Sequence, residues 1–446
     1  MAETKKVVVI GAGMAGSEAA WFLANQNIHV HLIECKRKRP NPAQKTPLFA
    51  ELVCTNSLKS TDIHTAHGLL KVEMQRLGSL ILKAAQLCAV PAGSALAVDR
   101  EKFSQYITQS LQDHPNISLH EREAEDPLAL KDELKADHVI MASGPLTHPV
   151  LEKWIRQHVG EEDFYFYDAI APVVDGESLD TSELYFKDRH ADETDGDYLN
   201  CPLNKQQYYQ FIDLMLAAEK VPPQDFEDYK FFEGCLPVDL MAERGVDTPR
   251  FSCMKPLGLE MPDGQRPYAV VQLRKENFLG SAFNLVGFQN RLTYKEQLRV
   301  FRTLPGFANA QFFHLGSVHR NSFLNASRVL NFDMSSKMDE TLWFAGQITG
   351  VEGYTESASS GLYTAWQVQR RLMGQPTLRW PVQTCIGALM NYLMTCERPT
   401  PSNVNFGLFP PVEMDKKQKR GDRRAQKKQL IVQRAQQMWI EFEQTC

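Results

Sequence analysis

The run Lys6-Val7-Val8-Val9-Ile10-Gly11-Ala12-Gly13-Met14-Ala15-Gly16-Ser17 decides the fold. Four consecutive β-branched residues, Val7 to Ile10, present no polar face, so they predict a strand buried on both sides, as in a parallel sheet. Gly11, Gly13 and Gly16 follow as G-x-G-x-x-G at the strand-to-helix turn. Gly11 permits the tight turn, Gly13 lets a pyrophosphate approach the backbone, and Gly16 lets the helix pack close to the strand. The helix, predicted from Ser17 to about Gln26, aims unpaired N–H groups and its positive dipole end at phosphate, with Ala12, Met14 and Ala15 lining the approach. A second short strand, Val30 to Ile33, ends at Glu34, eighteen residues after Gly16. A carboxylate at about that spacing meets a ribose 2′-hydroxyl, which favours FAD or NAD over NADP.

Outward from this unit, 446 residues exceed one ordinary core and predict at least two domains. The composition, 43% hydrophobic and 23% charged, is that of a globular protein. A net charge of −5 gives no overall attraction to nucleic acid, so RNA contact must come from local patches. The nine cysteines (35, 54, 88, 201, 235, 253, 385, 396 and 446) are scattered and include no C-x-x-C pair. With no apolar leader or membrane-length run, that usage predicts reduced thiols, no metal site, no membrane association and a cytoplasmic location.

Further along, Lys36-Arg37-Lys38-Arg39 reads as a solvated loop or a phosphate contact. Residues 49–60 form a polar loop carrying Cys54. Leu70, Met74, Leu77, Ile81 and Ala84 recur at helical spacing and predict one helix over roughly 66–87. Asp99 caps a helix whose inner face is Phe103, Ile107 and Leu111. Ile117 to His120 and His138 to Met141 are further strands, the second running into Gly144, where small residues let a nucleotide lie close. From about 163 the texture changes to clustered aromatics and charged loops. At 341–346 a strand returns and stops at Gly346. Gln347, Gly350 and Gly353 form a second glycine-rich turn before Tyr354 and a helix of small residues. A nucleotide domain split around an insert favours FAD over NAD, because the far end of a flavin needs a second loop and helix N-terminus. The predicted class is α/β: a Rossmann-like FAD-binding domain of the glutathione-reductase type (1–163 and 333–412), interrupted by an inserted α+β domain (164–332). A C-terminal segment (413–446) follows, with eight Lys or Arg between 416 and 428. That run is a solvated helix or an RNA phosphate contact.

No Ser-His-Asp, HExxH or Walker pattern stands out, and a flavin leaves the protein to orient and assist. Cys54 in its polar loop and Cys235 in Phe231-Phe232-Glu233-Gly234-Cys235-Leu236-Pro237 are the thiols whose surroundings differ most from those of a plain core cysteine. Tyr354 is placed equally well against a flavin ring or in the core.

The chain resembles the TrmFO family, the folate- and FAD-dependent tRNA (uracil-5-)-methyltransferases. The matching runs include Val9 to Ala20, Phe49 to Leu58, Val90 to Gly93, Phe232 to Pro237, Met254 to Leu259, Phe344 to Tyr354 and Asn405 to Leu408. The resemblance implies methylation of carbon 5 of a T-loop uridine at tRNA position 54, giving ribothymidine. It implies 5,10-methylenetetrahydrofolate as methylene donor, FAD as relay and NADPH or NADH as reductant. It places the two functional cysteines at Cys235, as nucleophile at uracil carbon 6, and Cys54, as its assistant, with Tyr354 against flavin or folate. The same chemistry on a ribosomal RNA uridine and a plain NAD(P)H-dependent FAD oxidoreductase are the competing readings.

Overall fold

The computed structural model describes residues 4–41, 43–160, 166–189, 196–221, 236–275, 282–396, 401–413 and 420–445. The opening strand, Lys6–Ile10, is central in a five-stranded sheet ordered Leu342–Phe344, His138–Met141, Lys6–Ile10, His29–Ile33, Ile117–His120. Every pairing in it is parallel. Val7, Val8 and Val9 are fully buried, as a strand covered on both faces requires.

The helix after the glycine turn runs Met14–Asn25, three residues earlier than its periodicity predicts, with Gly13 as N-cap. The whole G-x-G-x-x-G is therefore the turn and first helical turn, not a loop ahead of the helix. Gly11 has φ +99°, and a Cβ there would lie 2.4 Å from the Ala142 carbonyl oxygen. The long helix Tyr354–Leu372 crosses this first helix at Gly361, where a Cβ would lie 2.2 Å from the Ala15 carbonyl oxygen. The late segment thus closes on the first motif at backbone distance.

The single helix predicted over 66–87 is two, Ala66–Arg76 and Leu80–Leu87. Gly78 takes φ +74° between them and Ser79 caps the second. Glu18, fully buried on the first helix, accepts the Leu80 and Ile81 N–H groups at 3.0 and 3.1 Å. Burial outweighs these bonds and pushes its carboxyl up to about 7. The apolar stripe continues across the break, so hydrophobic spacing alone could not reveal it.

All strands of a second, antiparallel sheet fall between residues 173 and 314. Their order is Tyr185–Phe186, Tyr198–Leu203, Ala269–Lys275, Ala282–Leu285, Val173–Asp175, Phe312–His314. Its own apolar core contains Tyr208, Phe211, Phe288, Phe301 and Phe307. The helix Lys205–Ala217 covers it, opened by an Asn204–Gln207 capping box. A two-stranded antiparallel ribbon, Phe166–Ile170 with Ser317–Asn321, lies at the two chain crossings between the sheets. A third, three-stranded sheet contains Ser57–Ser60, Ala95–Val98 and Ala89–Val90.

In the first basic run Arg37, Lys38 and Arg39 are exposed, and Lys36 alone is buried. Lys36 is 5% exposed and reaches Glu51 at 2.5 Å and the Leu48 carbonyl at 2.6 Å. Arg37 pairs with Glu121, and Arg39 with Glu123 at 3.0 Å. The C-terminal helix Arg420–Thr445 buries Ile431, Val432, Ala435 and Trp439 in the same core as the parallel sheet. Trp439 meets Trp380 edge-on at 5.3 Å. Residues 416–419 of its basic run lie outside the described residues. Among the described residues no helix is long and apolar enough to cross a membrane.

Gly361→Val should lower stability by about 1–3 kcal/mol, because the added carbons meet Ala15 backbone that cannot yield. Denaturant unfolding measures this, and an unchanged midpoint would contradict the backbone contact.

Candidate active site

The strand and helix N-terminus build one wall of an open cleft. Gly11, Ala12, Gly13, Met14, Ala15, Glu34, Gly144, Gly346, Gln347 and Tyr354 all line it. Gly16, Gly350 and Gly353 do not. A Cβ on Gly16 would collide with the Gly11 carbonyl, so Gly16 serves the packing of helix on strand. Gly350, at φ +92°, ends the short turn Gln347–Thr349, and Gly353, at φ +111°, is the N-cap of the long helix.

The cradle fits the predicted cofactor. A Cβ built on Gly13 meets nothing within 4 Å, so the cleft reaches the backbone there. The N–H groups of the first helical turn have no partner within their helix and are available to phosphate. Glu34 is held by the Ala12 N–H at 2.7 Å and the Lys36 N–H at 2.8 Å, one on each carboxylate oxygen. The remaining lone pairs can accept a ribose hydroxyl. Gly346, at the end of the returning strand, packs against Ala15, where an added Cβ would lie 2.7 Å from that side chain. The two glycine turns are therefore adjacent in space.

Cys54 is half-buried and is not part of the lining, but its neighbours Val53 and Tyr354 are. The Tyr354 hydroxyl accepts the Cys54 N–H at 2.8 Å and the Thr55 N–H at 3.4 Å, across 300 residues of sequence. Burial, and then the nearby Cys54 thiol, push the phenol far above its usual range, so it stays protonated. Its one hydrogen remains for another acceptor. Cys235 lies outside the described residues. Immediately after it, Pro237 caps the helix Val238–Arg244, whose buried Asp239 pairs with Arg291 at 2.7 Å. Cys253 lies against Gly287, and burial pushes its thiol up to about 12, which makes it a poor nucleophile.

Several polar groups at this site carry no motif. Glu356, fully buried in the first turn of the long helix, pairs with Lys59 at 3.1 Å and His67 at 3.3 Å. Burial alone would raise its pKa, but Lys59 and His67 outweigh it and hold the carboxylate below its usual range. Arg274 reaches from the antiparallel sheet to Thr55 and Asn56. Its cross-strand neighbour Asn284 is 2% exposed, and its amide nitrogen has no hydrogen-bond partner among the described residues. Only the helix N-terminus at Tyr354 could have flagged Glu356. Nothing local in sequence marks the other two. Among the described residues no group of three or more His, Cys, Asp or Glu is placed to hold a metal ion.

Tyr354→Phe removes the acceptor shared by two part-buried N–H groups. Hydrogen exchange at the Cys54 amide should accelerate by about 10-fold or more, since an unmet donor costs about 1–3 kcal/mol. Unchanged protection would show that the loop is held by other contacts.

Three comparisons bear on this arrangement. The family model of glucose inhibited division protein A matches residues 6–376. The methylenetetrahydrofolate--tRNA-(uracil-5-)-methyltransferase TrmFO of Desulfotalea psychrophila is 47% identical over 449 residues, covering 100% of both chains. TrmFO of Aquifex aeolicus is 47% identical over 441 residues, 98% of this chain and 96% of that one. Among solved structures, GidA of Aquifex aeolicus superposes with a TM-score of 0.67 at 16% identity over 98% of this chain and 74% of that one, a likeness of fold. With a family model matched over residues 6–376 and 47% identity along the whole length, the chain belongs to the TrmFO group of the glucose inhibited division protein A family.

Proposed function

We propose that this chain methylates carbon 5 of uridine 54 in the tRNA T-loop, giving ribothymidine, with 5,10-methylenetetrahydrofolate as one-carbon donor and NADPH or NADH as reductant. The observation that carries this is identity of 47% over complete chains named for that reaction. When bound, FAD supplies the relay of the one-carbon unit and of reducing electrons. Glu34 would hold the adenosine ribose, and the N–H groups of Gly13, Met14 and Ala15 the pyrophosphate. Gly346, Gln347 and Tyr354 would border the reactive end. The substrate RNA and the folate would enter from the side of the antiparallel sheet, in the cytoplasm where tRNA is processed. The proposed division is 1–163 with 333–412, the insert 164–332 and the tail 413–446; two separate apolar cores support it, although Leu324, Ala326 and Leu330 at the end of the insert pack in the first core beside the tail's Ile431, Val432, Ala435 and Trp439.

The chemistry assigned to the thiols answers a specific difficulty: carbon 5 of uracil is a weak nucleophile. A Cys235 thiolate adds to carbon 6, and the electron pair of the 5,6 double bond moves onto the enolate, so carbon 5 becomes nucleophilic. Once carbon 5 carries the new group, its proton leaves to a base at the Cys54 loop, and the carbon 6–sulfur bond breaks to restore the double bond. Tyr354, held neutral, fixes that loop and can donate one hydrogen bond.

The test is nucleoside mass analysis of an unmodified tRNA transcript incubated with the purified protein, FAD, methylenetetrahydrofolate and NADPH. The expected product is 5-methyluridine at position 54, lost in Cys235→Ala while FAD stays bound. NADPH consumption with no methylated nucleoside would overturn the proposal in favour of a plain oxidoreductase, and product on ribosomal RNA alone would change the substrate.

A further inference from the structure

We propose that Arg274 is a positioning residue for the reaction, clasping the Cys54 loop to the antiparallel sheet so that the loop follows the insert and not only the nucleotide domain. The assay of this idea by turnover rests on the function proposed above. The geometry does not.

Arg274 lies near the end of the strand Ala269–Lys275 and is 7% exposed. Its Nε donates to Asn56 Oδ1 at 2.9 Å, and an Nη donates to Thr55 Oγ1. Asn56, fully buried, returns the contact: its Nδ2 donates to the Lys275 carbonyl at 2.7 Å and to the Val98 carbonyl at 3.1 Å. The Asn56 carbonyl accepts the Val98 N–H at 3.0 Å. One side-chain amide is therefore bonded to the three-stranded sheet at Val98 and to the antiparallel sheet at Lys275, and the guanidinium fork holds two successive residues of the loop. The residue just before them is Cys54, whose own N–H is held by Tyr354. Cys54 is thus suspended between the long helix of the nucleotide domain and the insert.

Among the described residues, the two acceptors of the Arg274 guanidinium are the neutral oxygens of Asn56 and Thr55. The planar fork fixes the direction of the loop, which a lysine cannot do.

The experiment compares Arg274→Met, Arg274→Lys and Thr55→Val in the FAD-loaded protein. Arg274→Met should keep its FAD content, and kcat for tRNA methylation should fall on the order of 100-fold with little change in KM for tRNA, because the loop is misplaced while the groups that bind tRNA stay intact. Arg274→Lys should be nearly as impaired. Thr55→Val, which removes one acceptor and leaves the fold's cores untouched, should lose about tenfold in kcat. Iodoacetamide labelling of Cys54, mapped by mass spectrometry, gives a readout that needs no tRNA: its rate should change in all three variants. Near-normal kcat in Arg274→Lys would show that charge alone suffices and would overturn the clasp. Unchanged Cys54 labelling in all three would overturn it as well. If wild-type protein methylates no tRNA, the function falls, while the labelling arm still decides the clasp.

Discussion

Ala15 is the point on which the two distant parts of the nucleotide domain close. Gly346 and Gly361, more than three hundred residues later, both come against it at distances where a Cβ would clash. The parallel sheet gains its edge strand Leu342–Phe344, and the cleft its far wall, where Gly346 comes against the Ala15 side chain and Gly361 against its backbone. Dispersion and burial at such a contact depend steeply on separation, so small residues are needed on both sides. The same approach sets the start of the long helix, hence Tyr354, hence the peptide of Cys54.

The insert adds what a nucleotide fold alone lacks. Its core is separate from the first one, so the two bodies need a defined contact to share a site. The bonds of Asn56 and Arg274 supply such a contact beside Cys54. The buried Glu356–Lys59–His67 group lies on the other flank, tying the strand after the loop to the long helix. The polar loop is therefore held from three directions despite having little regular structure of its own.

Much of this is legible in the sequence. Val7 to Gly16 and Glu34 predict the central strand, the cradle and the acid, because turn chemistry and β-branched runs act locally. The return of strand and glycines at 341–353 marks the split domain for the same reason. The break at Gly78 is hidden by an apolar stripe continuous from Leu70 to Ala84, and its cause, Glu18, sits sixty residues away. Within the Lys36–Arg39 run only Lys36 is buried, and its partner Glu51 lies 15 residues on, at no spacing that marks it. Arg274 and Asn56 are invisible for a related reason: a clasp between sheets has no period and no fixed spacing.

In the proposed function the cradle at Gly11 and the cysteine loop at Cys54 serve opposite ends of one flavin. An experimental structure of the FAD-loaded protein tests it most directly. The adenosine ribose should lie on Glu34, the pyrophosphate on the first helical turn and the flavin ring beside Tyr354 and the Cys54 loop. A flavin ring placed away from that loop, with the ribose still on Glu34, would contradict it.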